Sequence, residues 1–320
     1  MPKERTLRLI EEAAAIGVVG INPSGGDIMV YPHLEEILEA LKKYNFVPVM
    51  LCTKSFVSSD KAKALADIGI VLDMQFSVDS TVDDIADYMV QSKGFCDRIL
   101  RTIDNCLEAG IKVNVKSVIT PYNILTIPKL YRDLKKRGVS SIRFAAYRRS
   151  GFHHSDDLFN HMESYRWLEE QVRKLQQEFP NEMINIQNGA PDLEPRTLDR
   201  KKAAWPAHNN CTAGREGMMI CADGKVIPCE QMPETEEYFC GDVSHQSIQE
   251  VWDGDRLREM TYGVPQAKFK GQSCYDCEER EECVNEIGLC IRDLSTIYQG
   301  GIYQPPEGCP KYKGEHIRLK

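Results

Sequence analysis

What this chain lacks narrows the field first. It has no long apolar segment: near the N-terminus Glu11 and Glu12 interrupt the pattern, and the run that follows, Ala13 to Ile21, is nine residues long. That is neither a secretory signal nor a membrane span. It also lacks a cationic excess. With 40 basic and 48 acidic residues the net charge is −8, so the footprint of a general nucleic-acid binder is absent. The short basic runs Arg148-Arg149 and Arg200-Lys201-Lys202 read as solvated surface. No internal repeat or low-complexity tract occurs. Without a secretory address, a cytoplasmic location is expected, and there thiols stay reduced and a disulfide framework is excluded.

What is present is cysteine. Of 12 cysteines, Cys52, Cys96 and Cys106 each stand alone in apolar or helical surroundings and read as small buried hydrophobes. The others crowd the C-terminal third: Cys211, Cys221, Cys229, Cys240, Cys274, Cys277, Cys283, Cys290 and Cys309. Thiolates hold iron-sulfur clusters in fours, and two cysteines separated by two residues reach one centre from a tight turn. Seven or eight such thiols suit two clusters. Structural zinc is the other candidate, but it usually takes two close cysteine pairs, and only Cys274 and Cys277 form one. His153, His154 and His208 have no spacing that completes a metal site better than the cysteines.

A chain of 320 residues favours two domains. Over the first 150, short apolar runs alternate with helical patterns, which predicts strand-helix units around a parallel sheet. Strands are expected at Gly17–Ile21, Val47–Leu51, Ile70–Phe76, Lys112–Lys116 and Ser141–Phe144. Helices are expected at Leu34–Lys43, Ser59–Asp67, Asp97–Ala109 and Ile127–Arg137, with Gly69, Gly110 and Gly138 as stops. The site of such a fold forms at the carboxyl ends of the strands. There lie Gly25-Gly26, where a double glycine lets backbone approach a ligand, and Ser77-Val78-Asp79, a hydroxyl and carboxylate suited to ribose. Asp156 to Phe179 reads as a helix stopped by Pro180, and Asn188 to Pro195 as a linker, with a boundary near Trp205. The domains expected are therefore 1–150, a helix and linker at 151–204, and 205–320. Asp223-Gly224 marks a hairpin turn.

Taken in order, these pieces resemble the radical S-adenosylmethionine enzymes that carry a C-terminal SPASM iron-sulfur domain. Gly25-Gly26-Asp27-Ile28 resembles the family's Gly-Gly-Glu-Pro turn for the methionine amino group, and Tyr31-Pro32-His33-Leu34 its helix start. Cys52-Thr53-Lys54-Ser55, Phe76-Ser77-Val78-Asp79 and Ile119-Thr120-Pro121-Tyr122-Asn123 resemble successive strand ends. The fold implied is α/β: a partial (β/α)6 barrel missing its first strand, plus a small cysteine-rich domain. Cofactor contacts would come from Gly25, Gly26, Asp27, Ser77 and Asp79. By the same resemblance Cys274, Cys277, Cys283 and Cys309 would bind one auxiliary [4Fe-4S] cluster, and Cys211, Cys229 and Cys290 the other. Cys240, or else Cys221, would complete the second set. The family places three residues where six separate Cys283 from Cys290 here. Glu230, directly after Cys229, would be the carboxylate that removes a proton from a substrate radical; the alternative is an exposed acid in an acidic loop.

Two departures qualify the expected chemistry. The family's Cys-x3-Cys-x2-Cys loop, which binds the cluster that cleaves S-adenosylmethionine, has no counterpart before Gly25. Where relatives carry an arginine for the ligand carboxylate, this chain has Val90-Gln91. Cofactor binding is thus in question, and cleavage by these residues alone is not expected. A start that omits an upstream piece, or a homologue without radical chemistry, would each account for this. The reaction implied, once the missing loop is supplied, is radical modification of a peptide or protein, with a flavodoxin or ferredoxin as reductant and neither nucleic acid nor membrane as partner. A non-catalytic electron carrier or peptide-binding partner is the alternative.

Overall fold

The structure is a computed structural model and describes residues 1–147, 155–187, 211–287, 289–297, 301–306, 309 and 311. The linker at 188–195, the boundary at Trp205, the two basic runs and the three histidines at 153, 154 and 208 lie outside the described residues. The described residues from Pro2 to Gln187 belong to one compact unit and those from Cys211 onward to a second.

In the first unit, apolar side chains at helical spacing decide which faces are buried. Helix α1 (Lys3–Ala15) buries Ile10 and Ala13, and α2 (Leu34–Lys43) buries Leu34, Ile37, Leu38 and Leu41. In α2, Glu35 and Glu36 open the helix and Lys42 and Lys43 close it, complementing its dipole. Next come α3 (Ser59–Asp67), α4 (Asp83–Val90), α5 (Phe95–Glu108) and α6 (Ile127–Arg137). Gly138 ends α6 at φ +95, a backbone conformation that favours glycine. Helix α7 (Met162–Glu178) also belongs to this unit.

The strands are β1 (Val49–Thr53), β2 (Leu72–Ser77), β3 (Lys112–Ile119), β4 (Ser141–Ala146) and β5 (Ile186–Gln187). All pair in parallel and in chain order, which is the arrangement of a partial (β/α) barrel. The period of two separates the faces. Leu51, Met74, Phe76, Val113, Val115 and Phe144 are buried on one side, where the crossover helices pack. Cys52, Gln75, Ser77, Lys116 and Arg143 are half-buried or exposed on the other.

Two expectations are corrected here. The run Gly17–Ile21 forms no strand. Gly17, at φ +80, closes α1, with the Val18 amide donating to Ala13 O, and Val19 is left 94% exposed. A β-branched run becomes a strand only where a neighbour takes its ladder, and the outward Met50 amide donates instead to the Asn22 side chain at 3.2 Å. Cys52 is not a core residue. Strand alternation turns it away from Leu51 and Thr53 to the polar face, where Gln75 Nε2 donates to its Sγ at 3.2 Å. Cys96 and Cys106 are buried, and burial pushes both thiols up to about 12.

The second unit opens on a small antiparallel sheet, β6 (Met219–Ile220), β7 (Lys225–Ile227) and β8 (Gly241–Asp242). Asp223-Gly224 turns β6 into β7. Gly224 sits at φ +100, and a Cβ there would stand 2.6 Å from Ser244 Oγ. Helices α8 (Ile248–Trp252) and α9 (Asp255–Thr261) follow, the first held by a Ser247–Glu250 capping box. Beyond them lie α10 (Arg280–Glu282), a π-turn at Cys283–Ile287 and α11 (Ile291–Ile297).

Candidate functional site

At the carboxyl ends of the first unit's strands, Asp27 is the best-connected carboxylate. Thr53 Oγ1 donates to both its oxygens, at 2.7 and 2.8 Å, and Ser55 Oγ donates to Oδ2 at 2.9 Å. The amides of Met29, Lys54 and Ser55 donate at 3.0, 3.1 and 3.1 Å. Partial burial pushes its pKa up, but the hydrogen bonds from Thr53, Met29, Lys54 and Ser55 outweigh this and hold it below the usual carboxylate value. Asp27 therefore fastens the turn after Gly25-Gly26 to the end of β1. The glycines themselves stay open: Gly25 has φ +121, and a Cβ on either would meet nothing within 4 Å. What this turn offers a ligand is backbone, with the Asp27 carboxylate already engaged.

Ser77 ends β2 and is half-buried. Asp79 accepts the Val118 amide at 2.8 Å. Desolvation pushes its carboxyl up from the ordinary value, against the Val118 amide, the Lys54 charge and Ser117. Its main chain is set by Asn123, whose Nδ2 donates to Asp79 O at 2.8 Å and Val118 O at 2.9 Å while its Oδ1 accepts the Thr120 amide at 2.8 Å. Asn123 is fully buried, so these bonds are made without competition from water. It locks the ends of β2 and β3 together, a role its place in the sequence does not advertise. Gln91 adopts a left-handed conformation as the C-cap of α4 and donates to Tyr88 O at 2.5 Å.

In the second unit, the structure groups the cysteines. Cys274 is pushed up to about 12, first by burial and then by Cys309, Cys277 and Cys283, with Arg280 opposing. Those four sulfurs thus share one neighbourhood. Tight turns build it: the Cys277 amide donates to Cys274 O at 3.3 Å, and Arg280 Nη1 donates to Tyr275 O at 3.0 Å. Cys229 is also pushed up by burial and then by Cys211 and Glu230, against the Gln231 amide and Arg292. That amide donates to Cys229 Sγ at 3.5 Å. Leu294 N donates to Cys290 O at 3.0 Å, so Cys290 stands at the start of α11. Glu230 is exposed beside Cys229.

Cys221 and Cys240 differ from these. Both are buried in the core formed with Ile227, Met232, Leu257 and Met260. The Cys240 thiol donates to Tyr238 O at 3.6 Å and is pushed up to about 12 by burial, against Arg256. Among the described residues, no group of three or more cysteine, histidine or acidic side chains is drawn together tightly enough to hold a single metal ion. No helix is long and apolar enough to cross a membrane, again among the described residues.

Comparison with known proteins agrees with this division. Residues 1–143 match the radical SAM superfamily, and residues 211–278 match the SPASM iron-sulfur cluster-binding domain. The chain is 22% identical to the PqqA peptide cyclase of Gluconobacter oxydans over 275 residues, covering 85% of this chain and 73% of that protein. It is 26% identical to the Fe-coproporphyrin III synthase of Methanosarcina barkeri over 294 residues, covering 86% and 72% respectively. In fold it is similar to Streptococcus suis SuiB bound to precursor peptide SuiA, at TM-score 0.69 and 17% identity, covering 97% of this chain and 69% of SuiB. The chain therefore carries a radical SAM superfamily domain at residues 1–143 and a SPASM iron-sulfur cluster-binding domain at residues 211–278.

Proposed function

We propose that this chain is the iron-sulfur-bearing part of a peptide- or protein-modifying radical SAM system, with two auxiliary [4Fe-4S] clusters in its second unit. One is held by Cys274, Cys277, Cys283 and Cys309, the other by Cys211, Cys229 and Cys290 with Cys240. The observation that carries this reading is the match of residues 211–278, which include Cys211, Cys229, Cys240, Cys274 and Cys277, to the SPASM iron-sulfur cluster-binding domain. Burial and the neighbouring thiols push the Cys274 thiol up, and a bound cation is what lets several thiolates coexist. The donor set is all sulfur, which suits iron-sulfur chemistry. When bound, these clusters supply electron transfer or an anchor for substrate. The chain's own residues supply the thiolates, the Gln231 amide on Cys229, and an enclosing core.

In the first unit, Gly25, Gly26, Ser77 and Asp79 form the candidate surface for S-adenosylmethionine, and Asp27 holds the turn. The 320 residues contain no Cys-x3-Cys-x2-Cys, so as they stand they provide no three-thiolate cluster to cleave that cofactor. The catalytic reading accordingly requires those thiolates from elsewhere, a flavodoxin or ferredoxin as reductant, and Glu230 as the proton acceptor. A peptide substrate is favoured because PqqA peptide cyclase and SuiA-bound SuiB are among the similar proteins. A cytoplasmic setting suits reduced thiols. The absence of the three-cysteine loop favours, as a second reading, a non-catalytic iron-sulfur partner.

Anaerobic reconstitution, with iron, sulfide and 5'-deoxyadenosine measured, tests this. About eight irons with matching sulfide, as two four-iron clusters require, and no deoxyadenosine are expected. Zinc without sulfide would discard the reading, and cleavage by this chain alone would overturn the assignment of the missing thiolates.

A further inference from the structure

Arg215 follows closely on Cys211, yet its side chain reaches the segment between Cys283 and Cys290. Nη1 donates to Asn285 O at 2.7 Å, and Nη2 donates to Val284 O. Those two carbonyls lie in the π-turn Cys283–Ile287, where the helical ladder is interrupted and carbonyls turn to other donors. The arginine itself is held in place. Its guanidinium stacks 5.7 Å from the centroid of the Tyr262 ring. Its backbone is fixed by Gly214, which has φ +68 and lies so close to Thr261 that a Cβ would stand 2.7 Å from Oγ1. The planar fork of an arginine meets two adjacent acceptors at once, which a lysine ammonium cannot do in the same geometry.

The placement of the cysteines gives this latch its meaning. Cys283 is fixed locally, because its amide donates to Glu279 O at 2.9 Å. Cys290 lies seven residues further on, past the π-turn. We infer that Arg215 is a positioning residue that ties the Cys211 segment to the π-turn and so delivers Cys290 to the cluster shared with Cys211 and Cys229. The inference rests on the two-cluster reading above and adds to it a device specific to one cluster: the Cys274 set does not depend on it.

The test is anaerobic reconstitution of the full chain as wild type, Arg215→Ala and Arg215→Lys, reading iron, sulfide and the electron paramagnetic resonance of the reduced protein. The wild type is expected to take up about eight irons and both variants about half that number, since one four-iron cluster is lost. The signal retained should vanish when Cys274→Ser is added to Arg215→Ala. Guanidinium ion present during reconstitution of Arg215→Ala should restore part of the lost iron. In the cluster-free protein, hydrogen exchange across residues 283–290 should quicken in Arg215→Ala. Full iron in Arg215→Ala, loss of both clusters together, or a lysine variant equal to wild type would each overturn the inference. A wild type that binds no iron and sulfide would overturn the cluster reading itself, an outcome distinct from failure of the latch.

Discussion

Replacing Asp27 by alanine removes an acceptor that five donor groups share: the Thr53 and Ser55 hydroxyls and the amides of Met29, Lys54 and Ser55. The hydroxyls can turn to water. The three amides are fixed by the backbone, and each loses a charge-assisted bond worth about 1.5–3 kcal/mol when fully shielded. Asp27 is half-buried, water replaces part of the loss, and such terms do not add fully. The expected cost is about 2–3 kcal/mol, in the range of a lost buried polar network. For a unit of this size that lowers the melting temperature by roughly 4–12 °C, read by circular dichroism on the transition of the first unit. Asp27→Asn keeps one oxygen for the Lys54 and Ser55 amides and should cost less. The pH dependence has a definite sign. The folded-state pKa lies below the ordinary value of 3.8, so the stabilisation is complete above the unfolded value and is lost as pH falls through the folded one. The gap between wild type and Asp27→Ala should therefore narrow below about pH 4. An alanine variant with unchanged stability at neutral pH, or a gap that widens in acid, would refute the account of Asp27 as a staple.

Three further outcomes are expected. Asn123→Ala leaves the Thr120 amide and two carbonyls without their buried partner, costing about 1–3 kcal/mol; urea unfolding of the first unit checks it. Gly224→Ala forces a side chain into a left-handed turn against Ser244, costing about 1–3 kcal/mol, and should lower the melting temperature of the second unit only. Oxidative removal of iron with ferricyanide and a chelator should destabilise the second unit and leave the first unit's transition in place, because a ligand stabilises only the fold that binds it; differential scanning calorimetry separates the two.

The parts of the fold legible in sequence are those set by local periodicity. Helices α2, α3 and α6 fall at Leu34–Lys43, Ser59–Asp67 and Ile127–Arg137, because apolar spacing fixes their faces and Gly69 and Gly138 stop two of them. Helix α4 went unread: it is short and ends on Gln91, which takes the left-handed conformation without being glycine. Gly17–Ile21 was misread because a β-branched run looks the same whether or not a neighbouring strand is there to pair with it. The grouping of Cys274 with Cys283 and Cys309 came from the resemblance alone; the close pair Cys274 and Cys277 was visible in spacing. The Arg215 contacts were not, because a side chain that bonds distant main-chain carbonyls leaves no pattern in its own or its partners' residue types. Asn123 stands out in the sequence only as part of a strand end, since its partners are likewise backbone.

The bond from the Met50 amide to the Asn22 side chain has a colloidal consequence. β1 is the first strand of its sheet, and an edge amide pointing outward is a template for another chain. Asn22 occupies that amide with a side chain, which cannot propagate a ladder as a backbone would. Asn22→Ala should therefore raise self-association at high protein concentration while leaving the thermal transition nearly unchanged, as dynamic light scattering and calorimetry on the same samples would show. The Asn22 side chain thereby withdraws one amide from the edge that β1 presents among the described residues.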